Sequence, residues 1–282
     1  MATRAPVLSF LPPPLTRRPS CPHVPIPQVV DALNFCFWPD GELEYEHVAG
    51  GVKRCAERDP SSVAPETLAK LTPQELRAML AWPRSLPNEE ERARLLRELG
   101  SALCDHFGGS AAALVRAAGK SASKLVSLLS AHLPAFRDAA IAPDGRQVFF
   151  YKRAQIAAGD IWGAFGGKGL GEFGDIHLIT SYPDYRVPQS LLAEGVLEYS
   201  TELADKVKRG VEIAAGSEEE LAIRAATVVA VEAIRDAAAE ALGEGAPPVL
   251  ATHVDWRLWQ WGEARRESDE LPPFHRTRTV FY

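Results

Sequence analysis

The segment from Ser217 to Leu242 constrains the fold most, because its apolar residues recur at intervals of three, four or seven positions. These residues are Leu221, Val228, Val231, Ile234, Ala238 and Leu242. Ser217 and Glu220 form a capping-box pattern at the start, and Gly243 follows the end. The spacing predicts one long amphipathic helix, so helix packing must shape the core of this chain.

Helical patterns fill most of the chain after Pro65. One begins after Asn88 as its N-cap and ends at a pair of glycines, and another, "SASKLVSLLSAHL", stops at Pro134. Shorter helices are predicted at 153–165, 188–193 and 200–209 and within "DWRLWQWGEARR". Strand signals are confined to "ELEYEHV" and "RQVFFYK". The predicted fold class is therefore mainly α with a small β element.

The first 27 residues carry eight prolines, which disfavour regular structure. We interpret residues 1–27 as a proline-rich, flexible tail and residues 28–282 as a single, mainly helical domain. The formal net charge of −6 argues against a partner that needs a basic face, such as intact nucleic acid or an anionic membrane. No run of apolar residues approaches the roughly 20 needed to span a bilayer.

The start of the chain has no signal-peptide pattern, and its four cysteines form no CxxC pair. We therefore expect reduced thiols and a cytoplasmic protein. We also expect the protein to be a monomer. Cys104 and His106 stand close together, but two candidate ligands do not make a zinc site, so no metal is predicted.

Charged residues are dense between "FYKRAQIAAGDIW" and "DIHLITSYPDYRVPQ", which predicts either a solvated surface or a ligand site. Apolar neighbours surround Asp175, which predicts partial burial, a raised pKa and a role in proton transfer or charge stabilisation. The structural alternatives are a helix cap for Asp175 and an N-cap or turn for Asp184. Lys152 and Arg153 either bind an anion or pair with acids.

The segment "GLGEFG" lacks the preceding strand of a dinucleotide-binding turn, so a loop between helices is the better interpretation.

The chain resembles the queuosine salvage family in a series of motifs that occur in the same order. They are "LNFCFW", "FYKRAQI", "DIW", "DIHLIT", "DYRVPQ", "GVLEYS", "GSEEELAIRAATVVAVEAIRD" and "PFHRTR...FY". The resemblance implies a fold similar to the helical DNA glycosylases. It also implies an N-glycosidase that hydrolyses queuosine 5'-phosphate, a small-molecule nucleotide, and releases the base queuine without a cofactor.

The resemblance suggests roles for residues in the charged region and at both ends of the domain. Asp175 is the first choice for the carboxylate that stabilises an oxocarbenium-like transition state, and Asp184 is the second. The candidates for base binding are Asn34, Phe35, Trp38, Asp160 and Trp162. The candidates for phosphate or ribose binding are Lys152, Arg153, Arg186, His275, Arg276, Arg278 and Tyr282.

Two other functions fit parts of the sequence. A non-catalytic helical module that binds a nucleotide or a protein would use the carboxylates as helix caps. A nucleic-acid glycosylase would cleave a base within intact DNA or tRNA and would need a broad basic face, which the net charge disfavours.

Overall fold

The structure is a computed structural model that describes residues 26–282. The range predicted as a proline-rich tail lies outside the described residues except at its end, where Ile26 already begins the first helix. No helix in the described range is both long enough and apolar enough to cross a bilayer.

Twelve α-helices and one β-hairpin form the described part of the chain. The helices are α1 (Ile26–Leu33), α2 (Tyr45–Arg58), α3 (Pro65–Leu68), α4 (Pro73–Leu80), α5 (Glu89–Phe107), α6 (Ala111–Ala117), α7 (Ala122–His132), α8 (Lys152–Ala164), α9 (Arg186–Ala193), α10 (Thr201–Lys208), α11 (Glu218–Leu242) and α12 (Ala251–Glu263). Strands β1 (Ala139–Ile141) and β2 (Gln147–Phe149) pair antiparallel. The prediction of a mainly α fold with a small β element is confirmed, whereas similarity to the helical DNA glycosylases stays a prediction.

The long helix α11 begins and ends as its sequence pattern predicts. Ser217 Oγ accepts a hydrogen bond from the Glu220 N–H at 3.3 Å, and Gly243 follows the last turn with a φ of 78°. Helices α5 and α7 are likewise where they were predicted. Asn88 precedes α5 but does not cap it with its side chain, because its backbone has a φ of 50°.

The predicted strand "ELEYEHV" is wrong, since α2 begins at Tyr45. The side chains of Val48, Val52 and Cys55 are buried at helical spacing, and the Glu44 N–H donates to His47 Nδ1 at 3.0 Å. A short alternating stretch was therefore the first turn of an amphipathic helix.

Helix α1 lies at the centre of the larger hydrophobic core and packs against α2, α5 and α8. Its residues Val29, Ala32 and Leu33 are fully buried. A second, smaller core joins α9, α11 and α12. The charged residues described next lie where these two groups of helices meet.

Candidate active site

A group of charged and phenolic side chains gathers where α1, α2, α8 and α12 meet the segment that precedes α9. This acid-lysine cluster consists of Asp31, Tyr45, Lys152, Asp160, Tyr182, Asp184 and Asp255. Asp184, Asp255 and Asp31 all act electrostatically on Lys152. Asp160 and Asp31 act in the same way on Tyr45. The cluster therefore joins residues from five separate parts of the chain.

Lys152 is the first residue of α8, and its side chain is almost wholly buried. Its backbone is fixed because Tyr151 has a φ of 48° and because the Lys152 N–H donates to Asp138 Oδ2 at 3.0 Å. Burial lowers the pKa of Lys152, and the nearby carboxylate of Asp184 partly offsets that effect. No carboxylate of residues 26–282 forms an ion pair with the ammonium, which leaves it available for an anion.

A buried ion pair holds the two segments that carry Lys152 and Asp184. Arg224 of α11 donates to both carboxylate oxygens of Asp138, at 2.9 and 2.5 Å. Its Nε also donates to the carbonyl of Pro183, the residue before Asp184, at 3.2 Å. The guanidinium lies 4.0 Å from the centre of the Phe150 ring. Arg224 thus connects α11 to the start of α8 and to the turn before α9.

Asp184 caps α9 with one of its two oxygens. Oδ1 accepts hydrogen bonds from the Arg186 and Val187 N–H groups at 2.8 and 2.9 Å. This geometry matches the N-cap alternative drawn from the sequence. Both bonds use Oδ1, so Oδ2 remains outside the cap, and the residue is half-buried rather than sealed. The carboxylate can therefore hold the helix and still face a ligand.

Asp31 and Asp160 are the two acids on the α1 and α8 side of the cluster. Asp31 is fully buried, and neither of its carboxyl oxygens has a hydrogen-bond partner among the described residues. Burial raises the pKa of Asp31 well above its ordinary value, and the charge of Asp160 adds to this effect. Burial likewise raises the pKa of Asp160 to about 7, against an opposing effect from Lys152. Both carboxyls thus lie in a poorly solvated environment.

Asp255 of α12 secures the segment that leads to Asp184. Its Oδ2 accepts from the Ser181 hydroxyl and from the Tyr182 N–H, both at 2.8 Å. Burial raises the pKa of Asp255 to about 7. The Tyr182 hydroxyl lies 3.0 Å from the Thr252 hydroxyl, one turn earlier on α12. These contacts fix the segment against α12.

Aromatic side chains pack beside the cluster. The rings of Tyr45 and Trp259 meet edge to face with centroids 5.9 Å apart. Trp162, which was predicted to bind the base, packs against His253 and Trp256 at centroid distances of 5.5 and 6.2 Å. Its role in binding stays a prediction, whereas its contacts join α8 to α12.

Asp175 is partly buried, as the sequence predicted, but its carboxylate lies among hydrogen-bond donors. Its carboxylate accepts from the hydroxyls of Ser121 and Ser123 and from the Ala122 N–H at the start of α7. Burial alone would raise its pKa, but these hydrogen bonds outweigh that effect and lower the pKa of Asp175 to about 2. The expectation of a raised pKa is wrong. Asp175 does cap a helix, but it caps α7 rather than the segment that follows Gly174.

Phe35 and Arg153 belong to the core, although they were predicted to contact the base and the phosphate. The Phe35 ring is 1% exposed and lies between the guanidinium groups of Arg92 and Arg153, at 4.3 and 5.0 Å. Arg153 donates to the carbonyls of Ala32, at 2.7 Å, and of Ala135. A guanidinium fully buried against main-chain carbonyls holds α1 in place and does not reach a phosphate.

His275 and Tyr282, also predicted to contact phosphate or ribose, are buried against each other. His275 Nε2 and the Tyr282 hydroxyl lie 3.3 Å apart. Burial lowers the pKa of His275 to about 3, so the ring is neutral at pH 7 and supplies no cation. The C-terminal segment is therefore docked against the core, and His275 brings no positive charge to a phosphate.

The remaining predicted cations are engaged elsewhere. Arg186 is buried and pairs with Glu263 at 2.6 Å. Arg276 and Arg278 are exposed and lie 5.7 and 5.3 Å from the centre of the Trp38 ring. Arg278 also pairs with Glu212 at 3.2 Å. The structure therefore groups Trp38 with the two terminal arginines, apart from the acid-lysine cluster, while Asn34 is half-buried just after α1.

Sequence reasoning missed four members of the cluster, namely Asp31, Tyr45, Tyr182 and Asp255. The signal for Asp31 was present, because it is the one charged residue in "IPQVVDAL", a segment otherwise suited to burial.

An open depression lined by residues 39–41 and 84–87 shares no residue with the cluster, and its Asp40 and Arg84 pair with each other at 2.6 Å. No group of three or more side chains that could hold a metal ion occurs within residues 26–282.

Fold and site together define a mainly helical protein in which carboxylates and one buried lysine converge between helices. The family model described as "Queuosine salvage protein" matches residues 27–282. The chain belongs to the queuosine salvage protein family, as its motifs suggested.

Several curated relatives carry the name queuosine 5'-phosphate N-glycosylase/hydrolase. The one from Dictyostelium discoideum is 48% identical over 90% of this chain and 76% of its own length. Those from Sphaerobacter thermophilus and Mus musculus are 42% and 35% identical, each over 90% of this chain and 80% of the relative.

Proposed function

We propose that this chain hydrolyses the N-glycosidic bond of queuosine 5'-phosphate and releases queuine, with water as the acceptor. Family membership and the names of the relatives support the substrate and the reaction. The observation that carries the proposal to individual residues is the convergence of Lys152 and Asp184 in one buried cluster.

The chemistry of the base explains why the site needs a carboxylate. A 7-deazapurine has carbon where guanine has N7, so an enzyme cannot activate the leaving base by protonating that atom. Bond cleavage then depends on stabilising positive charge that develops on the ribose, as in other glycosyl transfers. Asp184 suits this role because Oδ1 is fixed by two N–H groups while Oδ2 is left for the substrate.

Lys152 is our candidate for the anionic end of the nucleotide. Its ammonium is buried and has no ion-pair partner among the described residues, and a phosphate would supply the missing negative charge. The other predicted cations are held by carbonyls, by acids or at the Trp38 surface. We further propose that the protein acts in the cytoplasm as a monomer on the free nucleotide, which its net charge of −6 supports over intact nucleic acid.

The proposal is tested by incubating the protein with queuosine 5'-phosphate and measuring free queuine by chromatography. Asp184→Asn should lower kcat by at least about 100-fold, because the charge that stabilises the transition state is lost. Asparagine is also a good N-cap residue, so the variant should keep α9 and the fold intact.

Asp175→Asn is the matched control, since it makes the same chemical change at the start of α7. It should retain nearly full kcat. Base release that survives in Asp184→Asn but disappears in Asp175→Asn would reverse the assignment. A wild type that binds the nucleotide without releasing base would favour a binding module, and release of base from intact tRNA would favour a nucleic-acid glycosylase.

A further inference from the structure

The acid-lysine cluster contains more acidic groups than its one lysine can balance. Asp31, Asp160, Asp184 and Asp255 bring four carboxyls to one ammonium. Arg153, which follows Lys152 in the sequence, directs its guanidinium at main-chain carbonyls, and its Nε has no partner among the described residues. Two of these carboxyls have structural roles: Asp184 caps α9, and Asp255 holds the segment before α9 by accepting the Tyr182 N–H. Asp31 and Asp160 have no such role.

Asp31 has the more unusual environment of the two acids, because it is buried without hydrogen-bond donors among the described residues. It is 0% exposed, and its two carboxyl oxygens accept no hydrogen bond from residues 26–282. A buried carboxyl without donors is costly, and a bound ligand that supplies a donor or a positive charge would remove that cost. Helix α1 packs against α2 and α8, and the charge of Asp31 acts on Tyr45 of α2 and on Tyr182 before α9, so Asp31 lies within the cluster.

The arrangement along α8 separates this acid pair from the proposed phosphate contact. Lys152 begins α8 and Asp160 lies eight residues later on the same helix. At a rise of 1.5 Å per residue the two positions are about 12 Å apart along the axis, which matches the length of a nucleotide from phosphate to base. Helix α1, which carries Asp31, packs directly against α8. Because Lys152 still acts on both carboxyls, the acid pair and the lysine are close enough to contact different parts of one nucleotide.

Queuine differs from 7-deazaguanine in the group attached to carbon 7. That group is an aminomethyl linked to a cyclopentene diol, and its secondary amine is positively charged near pH 7. We propose that Asp31 and Asp160 form a subsite for this ammonium group and so select queuosine 5'-phosphate over nucleotides whose base lacks it. The inference rests on the proposed function, since it places the base of that substrate in the acid-lysine cluster.

The physical basis is a charge-assisted contact in a poorly solvated place. An ammonium group donates to carboxylates through short, strong hydrogen bonds. When such a ligand is absent, the acids remain protonated or unpaired, so a neutral analogue leaves them unsatisfied. A site built in this way rejects the analogue that lacks the donor more strongly than an apolar pocket would. Asp160 is half-buried and can contact the amine directly, while Asp31 adds the second negative charge.

The test is calorimetric titration of wild type, Asp160→Asn and Asp31→Asn with queuine and with 7-deazaguanine. Wild type should bind queuine more tightly than 7-deazaguanine. Asp160→Asn should weaken queuine binding by about 10-fold to 100-fold, as expected for loss of a charged hydrogen bond. Asp31→Asn should weaken it by a smaller factor, because it removes a charge but no direct contact, and neither variant should change 7-deazaguanine binding by more than about 3-fold. Asp144→Asn, the same change on an exposed turn, should alter neither affinity.

Three results would overturn the inference. They are a wild type that binds queuine no more tightly than 7-deazaguanine, substitutions that weaken both bases equally, and substitutions that weaken neither. Equal weakening would mean that the acids contact the edge common to all 7-deazaguanines. If thermal melting shows that Asp31→Asn does not fold, Asp160→Asn decides alone, because that residue is partly exposed. The proposed function is judged separately by base release from queuosine 5'-phosphate in the wild type.

Discussion

Asp175 and Asp184 both accept backbone N–H groups at the start of a helix, but they differ in how many of their lone pairs these donors occupy. Asp175 receives two hydroxyls and main-chain N–H groups that engage both oxygens. Asp184 receives two N–H groups on Oδ1 alone. A carboxylate with a free oxygen can stabilise a developing cation, and one whose oxygens are both engaged is better suited to holding a helix.

Asp175→Ala should therefore reduce stability without reducing catalysis. We expect the free energy of unfolding to fall by about 0.5 to 2 kcal/mol, the usual cost of losing an N-cap. The folded-state pKa of Asp175 is lowered to about 2, so its contribution is present above the ordinary aspartate pKa and is lost as the pH falls toward 2. Urea unfolding at pH 7 and pH 3 should show the difference between variant and wild type shrinking at the lower pH. A constant difference would mean that the charge of the carboxylate does not matter.

Helix α11 contacts the site through the ion pair between Arg224 and Asp138. Breaking this pair therefore tests how the helix supports the site. Arg224 and Asp138 are each almost fully buried. Arg224→Met leaves the Asp138 carboxylate without its partner and should lower the free energy of unfolding by about 3 to 5 kcal/mol. The double variant Arg224→Met with Asp138→Asn removes the charge of Asp138 while keeping an acceptor for the Lys152 N–H. Glu220, which also pairs with Arg224 at 3.4 Å, is unchanged in both variants.

A double-mutant cycle measured by urea unfolding gives the coupling between these two residues. We expect the double variant to be more stable than the sum of the two single changes predicts. Additive effects would show that Arg224 and Asp138 act independently, which would contradict a role for the pair in joining α11 to the start of α8.

The elements were predictable from sequence where capping residues and apolar spacing agree. Helix α11 has Ser217 before it, Gly243 after it and buried residues such as Leu221 and Val231 at helical spacing. Helix α2 was mistaken for a strand because its first turn alternates polar and apolar residues over a short stretch. Local spacing cannot show which face of such a stretch is buried, since this depends on what packs against it.

At the scale of the whole molecule, the site is assembled from parts of the chain that are far apart in sequence. Arg153 donates to the carbonyl of Ala32, 121 residues earlier, and this contact places α1 against α8. Sequence analysis identified Lys152, Asp160 and Asp184 because they stand in one dense charged region. It missed Asp31, the one acid of α1, and Asp255 of α12, because the surroundings of these acids are set only when the helices pack together.

The docked C-terminal segment is joined to this assembly through Arg224 and Cys36. Tyr282 is 2% exposed, its carbonyl accepts from the Cys36 N–H at 2.9 Å, and its ring lies 4.6 Å from the guanidinium carbon of Arg224. Tyr282→Ala should lower the free energy of unfolding by about 3 to 5 kcal/mol, because a large aromatic ring leaves the core. Tyr282→Phe is the matched control. It keeps the ring and loses only the hydroxyl, whose contacts include His275, so urea unfolding should show a cost of about 0.5 to 1.5 kcal/mol. Equal costs for the two variants would mean that the hydroxyl, and not the packing of the ring beside Arg224, secures this segment.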